Sequence, residues 1–134
     1  MIIAHVNGFA LPGKKASFAV SIKDTAGNSH QRIVPLKCKS MYQAEWSAIK
    51  YVMLAISNKD NDVLINTSLP YVPAFFNKKK DGSWAKKSRS KSNAIDEVRK
   101  LSTKFRSFDC KCDKDSGEML EIREMARCPT KFYK

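Results

Sequence analysis

Residues 62–67 read Asp62-Val63-Leu64-Ile65-Asn66-Thr67, and this short apolar run decides the fold. It follows a polar turn and is too short for a helix, so it reads as a strand buried on both faces, parallel to the first strand of the chain. The residues before it have a different period. From Met41 to Ile56, the apolar residues Ala44, Ala48, Tyr51, Val52, Ala55 and Ile56 recur at spacings of three and four. That pattern describes a helix with a wide buried stripe, opened by Ser40 as N-cap and ending near Ser57-Asn58.

Further towards the N-terminus, three β-like runs are separated by turn signals. Residues 2–10 are β-rich and end in Leu11-Pro12-Gly13 and the pair Lys14-Lys15. Residues 16–23 alternate Phe18, Val20 and Ile22 against Ser17, Ala19 and Ser21, so one face is apolar at period two. A third run over 30–38 centres on Ile33, Val34 and Leu36, and Pro35 within it points to an edge position or a bulge. Three strands on short turns make an antiparallel meander. Beyond Thr67, a short helix is predicted over 69–77 and a helix over 93–105 from Ile95, Val98, Leu101 and Phe105. A fifth strand over 108–112 and a final helix over 118–127 with Met119, Ile122, Met125 and Ala126 on one stripe complete the order β-β-β-α-β-α-α-β-α. The fold class is α/β, a five-stranded mixed sheet flanked by helices, with residues 1–134 as one domain.

The 134 residues carry 25 Lys+Arg against 13 Asp+Glu, a formal charge of +12. With 43% hydrophobic residues there is material for one core, so the positive charge belongs outside, where it favours a polyanion. Half of the excess lies in residues 78–91, which hold seven basic residues and one acid around Trp84. There Lys78, Lys79, Lys80, Lys86, Lys87, Arg89 and Lys91 are candidate phosphate contacts, and Trp84 is a candidate for stacking on a base. Affinity from such a stretch is expected to be salt-dependent and tolerant of sequence. No run of about 18 apolar residues exists, and no secretory leader is recognisable. An intracellular, cytoplasmic location is expected, in a host cell if the protein is viral, and with it free thiols at Cys38, Cys110, Cys112 and Cys128. Cys110-x-Cys112 lacks the spacing of a structural zinc site, and the thiols read as small core residues.

In this order, several local words resemble the type 1 ribonuclease H domain over nearly the whole chain. Asn7-Gly8 with the turn Leu11-Pro12-Gly13 is similar to the family's first-strand Asp-Gly and its Gly/Pro-rich loop. Gln43-Ala44-Glu45-Trp46 looks like Q-A-E-Y at the start of the family's first helix, and Thr67-Ser68 with Tyr71-Val72 falls where the family has T-D-S and Tyr-Val. Residues 78–91 resemble the family's basic handle, and residues 120–127 sit where it has N-E-x-A-D-x-L-A-R.

The resemblance implies four carboxylates holding two divalent metal ions, one activating a water and the other stabilising the leaving oxygen of a phosphodiester. At the matching positions this chain has Asn7, Glu45, Thr67 and Arg123, of which only Glu45 is acidic. An arginine in such a site would set a fixed cation beside the metal, and like charges about 4 Å apart cost on the order of 4 kcal/mol at an effective dielectric of 20. Asp62 cannot substitute, since five residues of strand place it roughly 17 Å from Thr67. The implied function is therefore a catalytically inactive, ribonuclease H-like protein that binds RNA, RNA:DNA hybrid or another duplex, without a cofactor. Met41 and Tyr42 replace polar residues with which the family reads the minor groove, which weighs against hybrid specificity. Two alternatives stand beside it. One is an active Mg²⁺- or Mn²⁺-dependent endonuclease, its ligand set rearranged around Glu45 and one of Glu118, Glu121 or Glu124. The other is an adaptor or inhibitor that docks on a protein partner.

Overall fold

The computed structural model describes residues 1–10, 16–38, 40–77, 80–81 and 93–127. Strands β1 (Ile2–Phe9), β2 (Ala16–Asp24) and β3 (Ser29–Leu36) precede helix α1 (Met41–Ala55) and strand β4 (Asp62–Thr67). Helix α2 (Asn93–Ser102), strand β5 (Ser107–Cys112) and helix α3 (Gly117–Arg127) follow. The sheet order is β3-β2-β1-β4-β5, antiparallel across β1, β2 and β3 and parallel across β1, β4 and β5. The meander, the parallel fourth strand and the edge position of Pro35 are all present.

Several boundaries and one burial expectation differ. The 69–77 segment holds only a single 3-10 turn, Pro73–Phe76, where Pro73 occupies the first turn and leaves no amide to propagate a longer helix. Helix α2 stops at Ser102, whose hydroxyl donates to the Arg99 carbonyl at 2.6 Å, and Phe105 reaches the core from the connection beyond. Strand β4 is not buried on both faces: Val63, Ile65 and Thr67 are buried, whereas Asp62, Leu64 and Asn66 are half-buried. The cause lies in α3, which packs across β1 and β2 and leaves that face of β4 only partly covered.

Two cores result, one on each side of the sheet. On the α1 side, Val6, Phe18, Val20, Trp46, Ile49, Val52, Met53, Ile65, Ile95 and Val98 form one cluster. On the other side, Met119, Ile122, Met125 and Ala126 of α3 pack on Ala19. The alternation in β2 explains the difference. Its large residues face α1, while Ser17, Ala19 and Ser21 are small enough to let α3 lie close, and the Ser17 hydroxyl donates to the Ala126 carbonyl at 2.6 Å. The β2–β3 turn is closed by Asp24, which accepts from the amides of Ala26 and Asn28, with Gly27 at φ 90°.

The tightest approach in the fold is between β1 and α1. A Cβ on Gly8 would overlap the Glu45 amide nitrogen and lie 2.6 Å from the Ala44 carbonyl carbon and 2.7 Å from Ala44 Cβ. These are mostly backbone atoms, so no side-chain rotation relieves the overlap. Among the described residues no helix is long and apolar enough to cross a membrane. The Leu11-Pro12-Gly13 turn, most of the basic stretch 78–91 and Cys128 lie outside the described residues; of that stretch only Lys80 and Asp81 are described. Replacing Gly8→Ala is expected to cost about 3 kcal/mol or more, because α1 must move off the sheet. Urea unfolding of the variant, read by tryptophan fluorescence, checks this, and an unchanged midpoint would contradict it.

Candidate functional site

The parallel strands β1, β4 and β5 end on the same side of the molecule, and α1 begins there. Ser40 starts the helix as expected, its hydroxyl accepting from the Gln43 amide at 3.1 Å. One and a half turns on, Glu45 points at the sheet and is fully buried. Its Oε1 accepts from the Gly8 amide at 2.6 Å. Its Oε2 accepts from the Ser68 amide and the Ser68 hydroxyl, each at 2.8 Å, and from the Thr67 hydroxyl at 2.5 Å. Thr67 Oγ1 in turn accepts from the Leu69 amide at 3.3 Å. One carboxylate thus joins β1, α1 and the exit of β4.

Burial pushes the Glu45 carboxyl above its usual range near 4.5, and the bonds from Thr67, Gly8 and Ser68 oppose that shift without cancelling it. Burial likewise raises the Cys110 thiol, with Asp109, Glu45 and Cys112 adding to the effect, so this cysteine is an inert core group. Cys112 is exposed although it shares a strand face with Cys110, and the described thiols Cys38, Cys110 and Cys112 are all free.

The residues singled out in the sequence divide between two faces of the sheet. Glu45 and Thr67 meet on the α1 side. Asn7 is buried on the α3 side, in register with Ala19, so Asn7 and Gly8 serve opposite faces. Arg123 lies on α3 and its Nη2 donates to the Lys114 carbonyl at 2.9 Å; among the described residues it has no acidic partner. The glutamates of α3 are turned elsewhere than Glu45: Glu118 pairs with Lys23 at 3.7 Å, and Glu121 accepts from Gln31 at 3.2 Å.

A polar group on the α3 side escaped the sequence reading. His5 is buried beside its register neighbour Asn66, with Nε2 3.4 Å from Asn66 Nδ2 and 3.5 Å from Asp113 Oδ2. Asp113 is held by its own amide, which donates to the Thr67 carbonyl, and its Oδ1 accepts from the amides of Asp115 and Ser116. Bonds from Ser116, side chain first, keep the Asp113 carboxyl below its ordinary range. Nothing in the local pattern marks this group, because His5 and Asp113 are joined only by the parallel pairing of three strands. Ser68, by contrast, was legible as part of the Thr67-Ser68 word.

A pair of divalent ions does not fit this donor set. Mg²⁺ takes hard, preferably anionic oxygens, and of Asn7, Glu45, Thr67 and Arg123 only Glu45 is acidic, its oxygens already directed at two amides and two hydroxyls. Among the described residues no three His, Cys, Asp or Glu side chains gather so that they would hold a metal ion.

No family model matches the chain, and no curated protein matches it in sequence. Solved structures do. Ribonuclease H1 of the halophilic archaeon Halobacterium salinarum superposes with a TM-score of 0.72 at 13% identity, over 98% of both chains. The N-terminal ribonuclease H domain of a Mycobacterium tuberculosis protein, solved as a fusion with maltose-binding protein, gives 0.74 at 10% identity, over 94% of this chain and 95% of that one. A foamy viral protease-reverse transcriptase, solved in complex with dsDNA, gives 0.68 at 15% identity, over 98% of this chain and 94% of that one. The fold is ribonuclease H-like.

Glu45→Gln is expected to lower stability by about 1–3 kcal/mol, since one amide NH₂ must then face a backbone N–H that Glu45 accepts. The pH dependence has a definite sign. A carboxyl raised in the folded state binds its proton more tightly there, so the stability of the wild type relative to Glu45→Gln is greatest below about 4.5 and declines as pH rises through the folded value. Paired urea titrations between pH 3.5 and 8 measure this difference, and a difference that rises with pH would contradict the raised value.

Proposed function

We propose that this protein binds nucleic acid on a ribonuclease H-like fold from which metal-dependent cleavage has been lost. The observation that carries the reading is the state of Glu45: the one acid at the four matching positions is fully buried and spent on Gly8, Thr67 and Ser68, in a chain with a net charge of +12. A nuclease of this kind needs several anionic oxygens open to metal. A binding protein needs only the fold, the charge and a surface.

The fold supports the choice of ligand, since one structure it matches holds dsDNA. Lys78, Lys79, Lys80, Trp84, Lys86, Lys87, Arg89 and Lys91 are the proposed contacts of the basic stretch, with the lysines and Arg89 on phosphates and Trp84 on a base or sugar edge. Arg123 adds a half-exposed guanidinium on α3 with one nitrogen tied to Lys114, leaving its other donors for a phosphate. Asn7, Glu45, Thr67 and Arg123 are then the remnant positions of a catalytic cleft, with Glu45 and Thr67 on the α1 side of the sheet and Asn7 and Arg123 on the α3 side, and no cofactor is required.

Fluorescence anisotropy with labelled RNA, DNA and RNA:DNA hybrid over a range of salt tests binding, and incubation of the same strands with Mg²⁺ or Mn²⁺ tests cleavage. Binding is expected to weaken linearly in log[salt], and the triple change of Lys78, Lys79 and Lys80 to Ala should reduce the slope by about 2–3. Arg123→Ala should reduce it by about 1. Metal-dependent cleavage by the wild type that disappears in Glu45→Ala would overturn the reading in favour of an active nuclease.

A further inference from the structure

Large apolar side chains are exposed at few described positions. Leu54 and Leu120 are single aliphatic residues on outer helix faces, whereas Tyr71 is an aromatic ring, 49% exposed, four residues beyond the end of β4. Tyr71 stacks on Tyr42 of the first turn of α1, with ring centroids 5.5 Å apart and planes inclined by 28°. Tyr42 is itself fixed from below. It meets Trp46 edge-on at 5.9 Å and Phe75 at 6.3 Å, and Trp46 meets Phe75 at 5.6 Å. Trp46 is buried in the main core. The stack therefore rises from the core to the surface as a column whose last ring is Tyr71.

We propose that Tyr71 is a stacking platform for an unpaired nucleobase, so that the favoured ligand is nucleic acid with single-stranded character. This deepens the function proposed above and rests on it. A ring with one face on Tyr42 and half its surface in solvent offers its other face to a planar aromatic partner, and every base has such a face. The alternative occupant of an exposed aromatic, an apolar protein side chain, gains nothing from the surrounding charge of +12, whereas a polyanion does. Rigidity also favours binding, because a column already packed on Trp46 and Phe75 loses little side-chain entropy when a base is added. The position suits the ligand as well. Tyr71 follows Ser68 by three residues and stacks on Tyr42, three residues before Glu45 on α1, so it adjoins the Glu45 site from both segments. A continuous duplex has its bases stacked on one another and cannot offer a face to Tyr71 without opening.

The test uses the full chain with Tyr71→Leu and Tyr71→Phe. Leucine preserves an apolar contact with Tyr42 but has no aromatic face; phenylalanine preserves the face and removes the hydroxyl. The probes are short RNA and DNA strands carrying 2-aminopurine, single-stranded and annealed, followed by anisotropy and by quenching of the base on stacking. Tyr71→Phe is expected to match the wild type, while Tyr71→Leu binds single strands about five- to hundred-fold more weakly, with quenching lost and duplex affinity little altered. Whether the RNA or the DNA strand shows the larger effect identifies the sugar that accompanies the base. If the wild type binds single strands but Tyr71→Leu retains both affinity and quenching, the platform is wrong and the proposed function stands. If the wild type binds none of the strands, the proposed function itself fails.

Discussion

The contact between Gly8 and the second turn of α1 governs the molecule. Only a residue without a side chain lets the helix backbone settle on β1, and only at that separation can Glu45 reach the Gly8 amide and the Thr67-Ser68 exit of β4 together. The consequence is a buried carboxylate that joins three elements, α1 that carries it and the remote β1 and β4 exit that bind it. Taking such a group out of water is costly, and the bonds it receives offset the cost only while all three elements hold their places. The charge thus specifies an arrangement, independently of any chemistry at the cleft.

That role bears on what a buried carboxylate needs from its surroundings. A site built to hold cations needs its carboxylates to point at empty space, which is a standing cost of repulsion and exposed polarity. In this chain the hydroxyls of Thr67 and Ser68 occupy the space that Glu45 faces, and both of its oxygens are satisfied within the protein. On the far side of the sheet, His5, Asn66 and Asp113 form a second polar group that ties the end of β5 to the centre of the sheet. Each side of the sheet is therefore pinned by polar contacts at the end where β1 and β4 terminate.

Much of this was legible in the residues. The alternation of Phe18, Val20 and Ile22 and the helical spacing from Ala44 onward are local signals and form the strand and the helix that their periods predict, although the buried stripe of α1 runs through Trp46, Ile49 and Met53 beside Ala44, Ala48 and Val52 and leaves Ala55 exposed. Pro35 foretold an edge because an edge is where a missing amide does no harm. The burial of β4 was misjudged because an apolar run reports what a strand tolerates and says nothing of which neighbours arrive to cover it. Position 45 stood out as the lone acid at the matching sites, yet its partners did not. The Gly8 amide carries no side-chain signature, and the distance between β1 and α1 is a property of the assembled layers. Tyr71 was legible as part of a word and illegible as a surface, since the stack on Tyr42 joins segments 29 residues apart.

The strand order carries a kinetic consequence. β1 lies at the centre of the sheet, with β2, separated from it by six residues in sequence, on one side and β4, which follows β3 and α1 in sequence, on the other. The meander of β1, β2 and β3 can assemble from neighbouring residues on the timescale of hairpins, in microseconds. The parallel half must close a loop of more than fifty residues between β1 and β4 before it gains any pairing. Until then the other edge of β1, with its row of unpaired amides and carbonyls, is open to any extended chain nearby. Pairing of β4 closes that edge and also brings Thr67 and Ser68 to Glu45, so the same strand that covers the open edge of β1 completes the buried network.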